Sequence, residues 1–355
     1  MNKRKILYIC GSLNQTTQMH QISQELPEYD AYFTPYYPDG YGYIKLLTKA
    51  GLLDFSILGG QAKERTIKYL EENNLKLDLY GKQNDYDLVF TCSDLLIQKN
   101  IRDKKIILVQ EGMTDPENFA FHLVKNFKFP RWIASTSVTG LSHTYDKFCV
   151  ASEGYKELFI KKGINPDKIE VTGIPNFDNC KSFLDNDFPH RGYVLVATSD
   201  MRETYKYENR KKFIQNAYRI ANGRQLIFKL HPNENYERAV EEINKYAPGS
   251  LVYHQEKIEP MIANSDVLIT RFSTVVYIGL ALGKEVYSDF DVESLKKLVP
   301  IQNAGTSAFN IAQLGRRMLA ETENSNIYVV NRKRIRHIPL RKKLRLIRKL
   351  AKVKN

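Results

Sequence analysis

Short apolar runs separated by amphipathic stretches recur along almost the whole chain. Runs at 5–10, 87–92, 105–110, 147–151 and 169–173 are too short for helices and predict buried strands. Between them, apolar residues at three- and four-residue spacing predict helices over 17–25, 61–74 and 153–162. Residues 33–60 are rich in Tyr and Gly and show no clear period. A cluster of breakers at 183–192 interrupts the pattern, which then resumes. Strands are predicted at 193–197, 225–230, 250–254, 267–270 and 285–288. Helices are predicted at 208–222, 236–246, 258–264, from Ser273 onward, at 293–298 and at 308–320.

Strands alternating with helices argue for parallel sheets covered on both faces, an α/β architecture. The interruption at 183–192 reads as a linker between two Rossmann-like domains facing a cleft, residues 1–185 and 190–325. A length of 355 residues accommodates both.

The formal net charge is +13, but the charge is not spread evenly. Residues 331–355 hold twelve Lys or Arg and no Asp or Glu, and without them the remainder carries +1. From Leu340 onward, Leu344, Ile347, Leu350 and Ala351 fall at helical spacing among these cations. The pattern predicts a basic amphipathic helical tail suited to an anionic membrane surface through residues 338–355. Nucleic acid is the rival partner, disfavoured by the near-neutral body and by the lack of a recognisable RNA-binding module. No apolar run reaches the roughly 20 residues needed to span a bilayer. The basic start at Met1 leads only into a strand-length run, so no signal peptide is expected. Cys10, Cys92, Cys149 and Cys180 are scattered without zinc spacing. They are expected to be free buried thiols, as in a reducing cytoplasm.

Candidate chemistry gathers at strand ends, where open α/β sheets bind ligands. The strand ending Lys229-Leu230-His231-Pro232 places an imidazole there, and Ser273-Thr274 follows another strand behind Arg271. Ser and Thr at a helix start are preferred caps, and the same backbone N–H groups favour phosphate. Thr198-Ser199-Asp200 follows the first strand of the second domain, with Glu203 as a weaker substitute for Asp200. In the first domain, Glu111 follows a strand and is a candidate general base, with Asp115 and His122 competing for the role. Gly11-Ser12 lacks the G-x-G-x-x-G run of a dinucleotide site and reads as a simple turn or an acceptor-binding loop. Asp85 and Asp87 have no metal-cluster partners in sequence, and neither a metal nor a cofactor is expected. The aromatic group Tyr32, Phe33, Tyr36, Tyr37, Tyr41 and Tyr43 either stacks on sugar rings or packs at a domain surface.

The pair His231-Pro232 and Ser273-Thr274, the latter followed by Gly279-Leu-Ala-Leu-Gly283-Lys284, resembles a pattern of bacterial GT-B transferases. These include sialyltransferases, capsule-type Kdo transferases and CDP-glycerol glycerophosphotransferases, and the form here is most similar to the capsule group. The likeness rests mainly on residues 193–290. It implies a donor domain at the C-terminal half, an acceptor domain at the N-terminal half and chemistry in the cleft between them. It further implies a nucleotide-activated sugar donor, with a CMP-linked acidic sugar such as Kdo or sialic acid favoured. A lipid-linked or oligosaccharide acceptor follows, as does a peripheral place on the inner membrane face. Thr198, Ser199, Lys229, His231, Pro232, Arg271, Ser273 and Thr274 would then bind donor, Gly11 and Ser12 acceptor, and Glu111, Asp200 and His231 would carry the chemistry. Arg271 stands where the glycerophosphotransferases have an acidic residue. A second resemblance, of Val171-Thr-Gly173-Ile-Pro-Asn176 to UDP-N-acetylglucosamine 2-epimerases, lacks their Ser-Gly-Gly phosphate loop.

Overall fold

The computed structural model describes residues 3–39, 42, 44, 46, 57–127, 129–203 and 207–336, with side chains described as far as Glu321 except that of Gln61. Tyr41, Tyr43 and residues 337–355, which hold most of the expected tail helix, lie outside the described residues.

Two parallel sheets organise the chain. The first contains β1 (Lys5–Cys10), β2 (Asp30–Pro35), β3 (Leu88–Thr91), β4 (Lys105–Val109), β5 (Lys147–Val150) and β6 (Ile169–Val171), in the order β2-β1-β3-β4-β5-β6. The second contains β7 (Val194–Ala197), β8 (Leu226–Lys229), β9 (Leu251–Tyr253), β10 (Val267–Thr270) and β11 (Glu285–Tyr287), in the order β11-β10-β7-β8-β9. β3, β7, β8 and β10 are buried at every position, because helices cover both sheet faces. Their continuous apolar runs follow from that burial. The edge strands β9 and β11 are only partly buried.

Each sheet reverses direction once. The chain lays β2 beside β1, then crosses to the other flank of β1 for β3. It lays β8 and β9 beside β7, then crosses to the other flank of β7 for β10. These reversals open crevices at the carboxyl ends of β1/β3 and β7/β10, the places where such sheets accept ligands.

The helices are α1 (Leu13–Gln24), α2 (Gly60–Glu72), α3 (Phe119–Phe127), α4 (Glu153–Lys162), α5 (Arg210–Ala221), α6 (Tyr236–Tyr246), α7 (Ile258–Asn264), α8 (Val276–Ala281), α9 (Val292–Leu298) and α10 (Ser307–Arg336). Side-chain caps set several starts: Ser12 for α1, Ser152 for α4, Asn209 for α5 and Asn235 for α6 each accept a backbone N–H. β2, α3 and the short helical turns at Arg131–Val138 have no counterpart in the pattern-based expectation. β2 is buried only over its second half, so its residues do not form a clean apolar run.

The sheets are locked by contacts between α4 and the second domain. Tyr155 and Tyr277 place their hydroxyls 2.6 Å apart in the interior. Burial raises both phenols, that of Tyr277 to about 12, so each remains a neutral hydrogen-bonding group. Gly154 lies so close to the Lys297 carbonyl that a Cβ would stand 1.9 Å from the oxygen. After α9 the chain returns to the first domain. Ile301 N–H donates to the Ala151 carbonyl at 3.0 Å, and Asp178 accepts the Ser307 N–H at 2.9 Å, capping α10.

All four cysteines are buried and free. Tyr36 and Tyr37 are also buried, and the Tyr36 hydroxyl bonds both the N–H and the carbonyl of Leu96. These two tyrosines act in packing.

Candidate functional site

The crevice of the second sheet gathers the candidates from three neighbouring strands. β7 delivers Thr198-Ser199-Asp200, β8 delivers His231 and β10 delivers Arg271, Ser273 and Thr274. The His231-Pro232 turn is shaped by Glu234, whose buried carboxylate accepts the His231 N–H at 3.0 Å, Arg210 Nη2 at 2.6 Å and the Thr198 hydroxyl. This is the reciprocal logic of a capping box, with a carboxylate reaching back three residues. Asn233 N–H donates to His231 Nδ1 at 3.2 Å, so in the neutral ring Nε2 carries the proton and is the donor. Asp200 stands 3.7 Å from the same Nδ1 and accepts Asn233 Nδ2 at 3.0 Å.

Two hydroxyls here are buried with no partner among the described residues, Ser199 Oγ after β7 and Thr270 Oγ1 at the end of β10. Buried hydroxyls are rarely left so, and both flank the strand reversal where a ligand is expected. Ser273 and Thr274 precede α8 rather than open it. Val275 is the cap residue and has no capping side chain, and the first turn closes through Val276 N–H to the Ser273 carbonyl at 3.3 Å. Arg271 is already engaged: its Nε donates to Asp289 at 2.6 Å, and its Nη1 lies 3.6 Å from the fully buried Glu208 carboxylate. Lys229 turns toward β9, donating to the carbonyls of Leu230 at 2.7 Å and His254 at 3.0 Å. Burial lowers its pKa. Glu203 is taken by Arg238 at the start of α6.

Across the cleft, Glu111 follows β4 and is held by the β1–α1 connection. Ser12 Oγ donates to one carboxylate oxygen at 2.6 Å and Gln15 Nε2 to the other at 2.6 Å. Ser12 also accepts the Gln15 N–H as the α1 cap. Gly11 leaves the space this needs, since a Cβ there would stand 2.2 Å from Gln15 Oε1. Neighbouring Gln110 is braced too, accepting the Ala151 N–H at 2.9 Å and donating to the Gly112 carbonyl at 2.7 Å. The Cys10 and Cys92 thiols, at the ends of β1 and β3, are pushed well up by burial, as for structural rather than reactive cysteines. Asp115 is bonded to Thr136, and His122 is exposed on α3 with its ring against Phe121.

The two halves meet at the site. A Cβ on Gly112 would stand 2.9 Å from Thr274 Cγ2, so the strap after Glu111 lies directly against the loop after β10. Arg65 of α2 also crosses, with both terminal nitrogens 3.3 Å from Asn233 Oδ1. Gln15, Arg65, Asn233 and Glu234 are functional candidates that sequence reasoning missed. Only Glu234, three residues after His231, carried a local signal. A hollow of about 610 Å³ beside Asn222–Leu226 and Pro248–Ser250 lies at the amino ends of β8 and β9, away from this chemistry.

Solved structures share this arrangement of sheets. A UDP-GlcNAc 2-epimerase from Neisseria meningitidis bound to UDP-GlcNAc superposes with a TM-score of 0.53 at 14% identity, covering 88% of this chain and 100% of that one. S. aureus MnaA with UDP gives 0.54 at 12% identity, covering 87% of each chain. The wall teichoic acid polymerase TagF with CDPG gives 0.51 at 10% identity, covering 91% of this chain and 90% of that one. The fold is GT-B. At these identities the likeness concerns architecture alone, since one GT-B scaffold serves several chemistries. No family model matches the chain, and no curated protein matches it in sequence.

Proposed function

We propose that the chain is a GT-B glycosyltransferase that moves a sugar from a nucleotide-activated donor to a lipid-linked or oligosaccharide acceptor of a cell-surface polysaccharide. The observation that carries this reading is the convergence of His231, Ser273 and Thr274 with two unpartnered hydroxyls on one side of the cleft, against a braced Glu111 on the other. In this reading the donor phosphate lies over the carboxyl ends of β7, β8 and β10. His231 Nε2–H and the hydroxyls donate to its oxygens, and Asp200 holds Asn233, whose N–H meets the imidazole Nδ1. Glu111 takes the proton of the acceptor hydroxyl, whose oxygen bonds the anomeric carbon. The bond from that carbon to the nucleotide phosphate breaks, and the charge gathering on the departing phosphate meets His231. A CMP-linked acidic sugar is the favoured donor, on the Ser-Thr motif. The chain works in the cytoplasm at the inner membrane face.

Thermal stability measured against CMP-, CDP-, UDP- and GDP-linked donors tests the pocket, because a ligand bound only to the folded state raises the melting temperature. His231→Ala and Ser273→Ala should each weaken the binding of the stabilising nucleotide by about 1.5–3 kcal/mol. Unchanged affinity in both variants would remove the basis for a donor site here. Epimerisation is the second reading, favoured by the fold shared with the 2-epimerases. It needs no acceptor, so conversion of UDP-GlcNAc by the chain alone would select it over transfer.

A further inference from the structure

The β4–β5 connection carries an exposed feature that transfer chemistry does not use. Most exposed large apolar side chains of the described residues are scattered, but five fall within one short stretch. Phe119 is 78% exposed, Phe127 69%, Phe129 47%, Ile133 42% and Trp132 37%. They ride on α3 and on the helical turns at Arg131–Val138. The other face of this lobe already has its own interior. Phe121 and Val124 of α3 pack with Ala134 and Val138. Buried Lys162 fastens the lobe from below, donating to the Ser137 carbonyl at 2.9 Å with its ammonium over the Phe121 and Phe159 rings. The outward aromatics therefore do not complete that core.

Their setting selects an occupant. Residues 119–133 hold Lys125, Lys128 and Arg131, while the nearby carboxylates Asp115 and Glu117 both precede Phe119, with Asp115 tied to Thr136. Aromatic and aliphatic side chains projecting beside cations fit the headgroup level of an anionic bilayer, where rings sit at the boundary and cations meet lipid phosphate. The lobe also continues from the strap that holds Glu111. Asp115 N–H donates to Thr136 Oγ1 at 2.8 Å, joining that strap to the turns at Arg131–Val138.

We propose that the lobe of α3 and Arg131–Val138 docks on an anionic lipid surface, seating Phe119, Phe127, Phe129, Trp132 and Ile133 among the headgroups. This surface belongs to the β4–β5 connection of the proposed acceptor domain and is distinct in sequence from the basic tail. It brings lipid to the connection that carries Glu111.

Trp132 is the only tryptophan, so its fluorescence reports on this surface alone. With the full chain and vesicles of phosphatidylglycerol and phosphatidylethanolamine, its emission should shift to the blue, lose access to acrylamide and be quenched by brominated acyl chains. Phe119→Ser with Phe127→Ser should lower vesicle partitioning by about tenfold or more in salt high enough to screen the tail. Both side chains are exposed, so an unchanged melting temperature certifies the fold. Unchanged Trp132 emission on a vesicle-bound chain overturns the proposal. So does parental partitioning of the double variant. A blue shift that grows with protein concentration without lipid also overturns it, by making the lobe an interface between copies. No readout needs a donor or transfer, so this inference and the transferase reading stand or fall separately.

Discussion

Glu111 shows how a carboxylate after a strand becomes a placed group. Its two oxygens are fixed by Ser12 and Gln15, and Gln15 reaches it only because position 11 has no Cβ. Gly11, Ser12 and Gln15 thus all bear on the position of Glu111. Gln15→Ala and Gly11→Ala should lower turnover about tenfold to a hundredfold while donor affinity stays at its parental value, because loss of positioning acts on the reacting geometry. Steady-state kinetics with donor titration checks this, and a parallel loss of donor affinity would contradict it. Glu111→Gln should cost far more turnover than either. His231, Ser12 and Glu111 stood out in the sequence because strand ends are legible from local pattern. Gln15, Asn233 and Arg65 did not, because each gains its role from a partner that only the tertiary fold brings near. Lys229 matched a motif by its neighbours, yet its ammonium is spent on two carbonyls toward β9.

At the scale of elements, buried parallel strands were the most legible part of the chain. Both faces of β3, β7, β8 and β10 are covered, so each had to be a short apolar run. β2 escaped because only its second half is buried, and α3 because its outward face is itself apolar. The Ser273-Thr274 pair sat where expected after β10, but the helix behind it starts at Val276, in a place governed by burial of Val276, Tyr277 and Ile278. Two joints between elements give testable stabilities. Gly154→Ala drives a Cβ into the Lys297 carbonyl, and since backbone must move, it should destabilise by about 1–3 kcal/mol in thermal or denaturant unfolding. Asp178 caps α10, and burial raises its pKa above 3.8 although the Ser307 bonds pull it down. The folded state thus favours the protonated form more than the unfolded chain does. Stability from this group is fullest below 3.8 and declines as pH rises through the raised value. Asp178→Asn keeps an acceptor for the Ser307 N–H and should flatten that decline. Asp178→Ala loses the cap and should cost about 1 kcal/mol at all pH values. Melting curves between about pH 3.5 and 7 separate the two, and an Asn variant with the parental pH slope would refute the assignment.

At the scale of the whole molecule, charge is uneven along the chain. Twelve cations lie in residues 331–355, while the remainder is nearly neutral and carries the exposed aromatic lobe of α3 and Arg131–Val138. Among the described residues no helix is long and apolar enough to cross a membrane. The tail and the lobe should respond differently to salt. Attraction of Lys and Arg to anionic lipid is worth on the order of 1 kcal/mol per residue and is screened as the Debye length shrinks. Burial of aromatic surface is not weakened in that way. Deleting residues 338–355 removes eight cations. Sedimentation with anionic vesicles should then fall sharply at about 0.05 M salt and much less at about 0.5 M, leaving a weaker, less salt-sensitive fraction held by the lobe. Transfer to a soluble short acceptor should persist in the truncated chain, because the proposed site spans Gly11 to Thr274. A truncated chain that sediments as fully as the intact one at low salt would remove the tail from membrane attachment and leave the lobe as its sole proposed carrier.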